Sequence, residues 1–187
     1  MRFVVAIAAL LWVGVAQAQG FSYKGLKLGD SVSAVREKLP TYRCTATYCE
    51  YSMPQCVSAT ASSTRKACDA SASFGGAWVN TGFIQLHEGK VSDILITFTQ
   101  EALAEAVEAA VQAYGQPSST ESVEVQARGG AKVPSWTKRW GGKDDRLVMV
   151  QRFVDINTGA AQITNSASRE RFEQGRKDRA AKGSRDF

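Results

Sequence analysis

Histidine occurs once in this chain, at His87, and that scarcity removes much acid–base chemistry from consideration. A nucleophile–histidine–acid relay needs a serine or cysteine beside an imidazole, and no Gly-x-Ser-x-Gly elbow is present. His87 sits beside a glycine-containing turn, opposite in strand parity to Ile84 and Leu86, which predicts an exposed turn residue. Cys-x-x-Cys is missing as well, which argues against a thioredoxin-like catalyst and against a four-cysteine zinc site. The chain carries no phosphate loop and no dinucleotide fingerprint. Asp155 to Gly159 offers oxygen ligands but lacks the later glutamate of a calcium loop. Asp30, Asp144 and Asp145 read as cap and turn residues. No catalytic residue, metal or cofactor is therefore expected.

Long apolar runs are missing beyond the start of the chain. Phe3 to Val15 is almost wholly apolar behind Arg2, and Ala16-Gln17-Ala18 has the small-x-small form of a cleavage site. Residues 1–18 therefore read as a signal peptide, and the apolar run is too short to span a bilayer comfortably. Cleavage after Ala18 would leave Gln19 first, so no lipidated cysteine is expected. The expected location is periplasmic or secreted, with no transmembrane segment in the mature chain. Loss of Arg2 with the leader takes the net charge from +5 to +4.

Export favours disulfides over metal thiolates. All four cysteines, Cys44, Cys49, Cys56 and Cys68, fall in an irregular loop over 41–76. Four cysteines allow three pairings, and a nested arrangement is marginally preferred: Cys44–Cys68 around Cys49–Cys56. Each bridge would contribute about 2 to 4 kcal/mol. Ser58 to Ser63 is small and polar and reads as a loop tip.

The clearest regular stretch runs from 89 to 117. Ile94, Ile96 and Phe98 share one face of a strand over 91–98, with Leu95 and Thr97 on the other. Thr99 is placed to cap a helix, and Glu101 suits its positive end. Leu103, Val107, Ala110, Val111 and Tyr114 fall three or four apart and predict its buried stripe. Gly115 and Pro117 end it. Residues 83–98 read as a hairpin turning at Gly89.

An earlier, shorter helix is predicted over Val32 to Leu39, capped by Asp30 or Ser31 and stopped by Pro40. Phe21 to Leu28 reads as a first strand. After Pro117 the pattern is an antiparallel meander: Val123 to Ala127, a strand through Trp136 and Trp140, a central strand over 146–154, and a short last strand over 161–164. The fold class is α+β, an antiparallel sheet with two helices packed on one face, and a duplicated helix-plus-meander unit is suggested.

Residues 19–167 are expected to form one domain and residues 168–187 a basic tail. The tail holds seven basic residues and four acids, a net of +3, and reads as a solvated, partly helical end. Arg176, Lys177 and Arg179 within it are candidate contacts to an anionic surface or an envelope protein. Trp136, Lys138 and Trp140 form a second candidate contact, although their shared parity suits packing beneath the helix. A nucleic-acid partner is not expected.

The Gly-Leu-Lys-Leu-Gly-Asp-Ser stretch before the first helix and the later Tyr114-Gly115-Gln116-Pro117 carry a family likeness. With Gly29, Val32 and Val35, they resemble the small periplasmic proteins of the SmpA/OmlA type, which assist outer-membrane protein assembly. The resemblance implies a helix-plus-antiparallel-sheet fold and a role in the envelope. The chain departs from that family by lacking its lipidated cysteine and by adding the cysteine-rich loop. The function expected is that of a non-enzymatic periplasmic binding or envelope accessory protein. An inhibitor of an envelope or wall hydrolase and a small secreted hydrolase are the alternatives.

Overall fold

A computed structural model describes residues 20–52, 73–127 and 129–183. The expected signal peptide over 1–18, Cys56, Cys68 and the expected loop tip at Ser58–Ser63 lie outside the described residues. The fold is α+β, with a large antiparallel sheet and, among the described residues, three helices.

A sharp turn opens it. Tyr23 and Leu26 pair across Lys24 and Gly25, both at positive φ, so the expected first strand is a tight turn. Both flanking side chains are fully buried, which fixes the turn to the core. Helix α1, Val32–Lys38, follows; Ser31 is the cap that accepts from the amide of Ala34. Asp30 instead accepts from the Lys27 amide and pairs with Lys38 at 3.0 Å.

Strands β1 (Arg43–Cys44) and β2 (Tyr48–Ser52) form a short hairpin. Cys44 and Cys49 are directly opposed across it and bonded to each other. The nested pairing is thus overturned. Each of its bridges needed one of these two sulfurs, and the hairpin register sets them opposite each other.

A separate hairpin, β3 (Ser73–Phe74) and β4 (Ala77–Trp78), lies against the main helix. Its Gly75 has φ +59, and a Cβ there would fall 2.1 Å from that of Ala109. Only glycine permits that approach.

Strands β5 (Thr81–His87) and β6 (Lys90–Thr99) make the predicted hairpin. Glu88 joins Gly89 at positive φ, the two-residue turn that matches strand twist. Helix α2, Gln100–Tyr114, starts at Thr99, whose hydroxyl accepts from Ala102, and ends at Gly115 with φ 79. Its fully buried positions are Ala102, Leu103, Ala106 and Ala110, while Val107, Val111 and Tyr114 are half-buried. The buried face is therefore rotated from the predicted stripe. The alanines let the helix axis come close to the sheet, and the larger residues flank the contact.

The last four strands are β7 (Ser119–Gln126), β8 (Lys132–Gly141), β9 (Asp145–Val150) and β10 (Thr158–Asn165). The sheet order is β1-β2-β5-β6-β10-β9-β8-β7. The middle is the pairing of β6 with β10, not β9, which ends at Val150 and lies further out. Helix α3, Ser166–Gly183, leaves β10 directly.

Cross-strand register sorts the side chains onto two faces. Ile84, Ile94, Ile163, Leu147 and Trp140 oppose one another in sequence across five strands, and all are buried. This is the face under α2, where Leu103 sits against Gly159. The other face carries Phe83, Gln85, Asp93, Leu95, Gln162 and Arg146, which are half-buried or exposed.

Candidate functional site

The second sheet face and α3 enclose a cleft of about 710 Å³. Its floor is two adjacent transverse rows. One runs Gln85, Asp93, Thr164, Arg146, and the next runs Phe83, Leu95, Gln162. Alternation alone places these side chains together once the strand order is given.

A bulge borders the floor. Gln85 pairs with Asp93 and Leu86 with Val91, so Ser92 is the extra residue on β6. The insertion lets Val91 and Ile94 both turn to the core while Asp93 faces the cleft. It also presents the carbonyl of Ser92, which accepts from the Ser168 hydroxyl of α3. Asn165 caps that helix by accepting from the Ser168 amide at 2.9 Å. Arg169 donates to the carbonyl of Lys143, and Ser166 to that of Asp144. The first turn of α3 is thereby anchored at the end of the sheet, beside Arg146.

Beyond that turn, Phe172, Gly175 and Arg179 continue the cleft-lining side of α3 at helical spacing. Phe172 is 65% exposed and Phe83 39%, so two aromatic side chains border the same space without being covered. Phe83 stacks on Tyr48 with ring centroids 5.2 Å apart.

Three charged groups of this cleft have unusual settings. Asp93 accepts from Gln162 at 3.1 and 3.0 Å, one bond to each oxygen. Burial nevertheless lifts its carboxyl above the ordinary aspartate value, against the opposing effect of hydrogen bonds from Gln162 and Thr164. Burial depresses the Arg146 guanidinium, and the like charges of Arg169 and Arg139 add to that effect. Arg146 Nε and Arg169 Nη1 are shielded from solvent without a hydrogen-bond partner. Among the described residues, neither guanidinium makes an ion pair.

The Asp93 setting gives a testable sign. Its folded value is raised, so ionisation is less favourable in the folded protein than in the unfolded chain. Its contribution to stability is full below the ordinary value of 3.8 and declines as pH rises through the folded value. Asp93→Asn should therefore be at least as stable as the parent in urea at about pH 7, and that advantage should vanish on acidification below the ordinary range. An advantage independent of pH would contradict the assignment.

The residues singled out from sequence are dispersed. Trp140 is buried on the opposite face and donates from Nε1 to the carbonyl of Gly115 at 2.8 Å. Trp136 is half-buried against the core, with Lys138 Nζ 5.3 Å from its ring centroid. Arg176 is exposed and paired with Glu173 at 2.7 Å, and Lys177 is exposed. Arg179 alone of these borders the cleft. His87 lies at its rim. Arg146, Asp93 and Arg169 were not singled out, because no local motif joins residues on three different elements.

Among the described residues, no helix is long and apolar enough to cross a membrane. Nor do three or more His, Cys, Asp or Glu side chains cluster as a metal would require. The site is a basic, partly aromatic cleft on an α+β sheet. No family model, curated protein or solved structure matches the chain.

Proposed function

We propose that this is an exported, non-enzymatic binding or accessory protein of the cell envelope, and that the cleft beneath α3 is its binding surface. The observation that carries this reading is the uncovered pairing of aromatic and guanidinium groups in one concavity. Binding sites combine apolar lining with a few polar groups in this way. The leader-like residues 1–18 and the Cys44–Cys49 bond support an oxidising compartment.

The same reading includes a duplicated architecture with both helices on one face. Its support is that α1 precedes β1, β2, β5 and β6, α2 precedes β7 to β10, and the last strand of each set pairs at the centre. Val35 and Leu39, at α1 and its C-terminal cap, join the same buried cluster as α2. The likeness to SmpA/OmlA-type proteins agrees with that arrangement and with an envelope role.

Fractionation with N-terminal sequencing tests export, with Gln19 as the expected first residue of the envelope pool. For the cleft, thermal shifts across anionic, cationic, neutral and saccharide ligands should include at least one class whose effect is lost in Phe172→Ala. A panel in which every shift survives that change would remove the cleft from the proposal.

A further inference from the structure

Arg146 reaches the cleft from β9, and Arg169 reaches it from the first turn of α3. Both are half-buried, and the charge of Arg169 adds to the cost of charging Arg146. Two neighbouring cations with shielded, unpartnered donors are unfavourable by themselves, since each unmade bond keeps its desolvation penalty. The only carboxylate on the floor, Asp93, is held by Gln162 and lies two strands from Arg146 across Thr164. Glu173, the other carboxylate lining the cleft, is taken up by Arg176 at 2.7 Å, so among the described residues neither Arg146 nor Arg169 has an ion-pair partner. Arginine forks match carboxylate and phosphate oxygens, which makes an external oxyanion the fitting complement. Further along the same cleft, Phe83, Leu95 and Phe172 offer apolar surface.

Resting on the reading of the cleft as a binding site, we propose that it takes a small amphiphilic oxyanion. Its carboxylate or phosphate sits at Arg146 and Arg169, and its apolar body lies on Phe83 and Phe172. The ligand is held by two rows of a rigid sheet on one side and by α3 on the other. Asp93 sets the polarity by disfavouring a second negative group on the β6 side.

Calorimetric titration of the full chain with octyl phosphate, below its micellar concentration, tests this. Octyl phosphate should bind about tenfold or more tighter than inorganic phosphate, octanol or octylammonium. Arg146→Gln and Arg169→Gln should each weaken it by about tenfold to a hundredfold, the loss expected for one charge-assisted contact. Arg169→Lys keeps the charge without the fork and should fall between; it serves if either glutamine variant fails to fold. Phe172→Ala should weaken octyl phosphate while leaving inorganic phosphate unchanged.

Vesicles separate the sources of such a group. Sedimentation with phosphatidylglycerol but not phosphatidylcholine vesicles would identify a lipid headgroup, and octyl phosphate binding without sedimentation would identify a free ligand. Equal affinity for octyl phosphate and octylammonium, or unchanged binding in all arginine variants, would overturn the proposal. If a neutral ligand still binds and is lost in Phe172→Ala, the binding surface stands and only the anion assignment falls.

Discussion

Ala106→Asp is expected to leave no measurable folded population. Ala106 is fully buried where α2 meets the sheet, with Ala102, Leu103 and Ala110 around it. Among the described residues no lysine or arginine is buried to pair with a carboxylate there, and its burial costs several kcal/mol even after relaxation. Total stabilities of domains this size are about 5 to 15 kcal/mol, so most of the margin would be lost before steric overlap is counted. Val107→Asp, one position on, should cost only about 1 to 3 kcal/mol, because its half-buried side chain can turn to water. Glu105→Ala should be close to neutral at an exposed site. Circular dichroism of the three variants is sufficient. If Val107→Asp proves the worst, the helix lies on the face that the simple three-and-four spacing of its large residues implied.

Removal of Trp140 should have the next largest effect. It is among the largest fully buried side chains, it opposes Leu147, and its indole donates to the carbonyl that ends α2. Trp140→Ala should cost about 3 to 5 kcal/mol through the cavity left between α2 and the outer strands. Trp140→Phe keeps most of the packing but not the donor. It should recover much of that loss, leaving about 1 kcal/mol for the bond, since the exposed Gly115 carbonyl can take water instead. Urea denaturation measures both. Little loss in Trp140→Ala would return this tryptophan to the role of surface contact considered from the sequence.

These two experiments also show where sequence patterns ran out. The predicted stripe on α2 runs through Leu103, Val107, Ala110, Val111 and Tyr114, of which Leu103 and Ala110 are buried while the other three are half-buried. The structure centres instead on three alanines and Leu103, since a helix lying close to a sheet has room at its midline only for small side chains. The outer meander was read with its strongest apolar strand in the middle, yet β10 is the one that pairs with β6. Small residues again carry that position: Gly159, Ala160 and Ala161 give β10 little hydrophobic signal while allowing Leu103 to sit against it. The basic tail held few apolar residues, and its helix is anchored mainly by hydrogen bonds to carbonyls of the sheet and its turns.

What the sequence by itself determined is local. Thr99, Gly115 and Pro117 set the ends of α2, and Glu88-Gly89 turns the β5–β6 hairpin, because capping and turn chemistry act over a few neighbouring residues. The α+β class followed from the same patterns. Only the tertiary structure decided how Gln162 comes to hold a carboxylate 69 positions away. It also decided that Arg146 and Arg169 share one cleft. Those juxtapositions depend on strand order and register, which are settled by burying one face of the whole sheet and are written in no short segment.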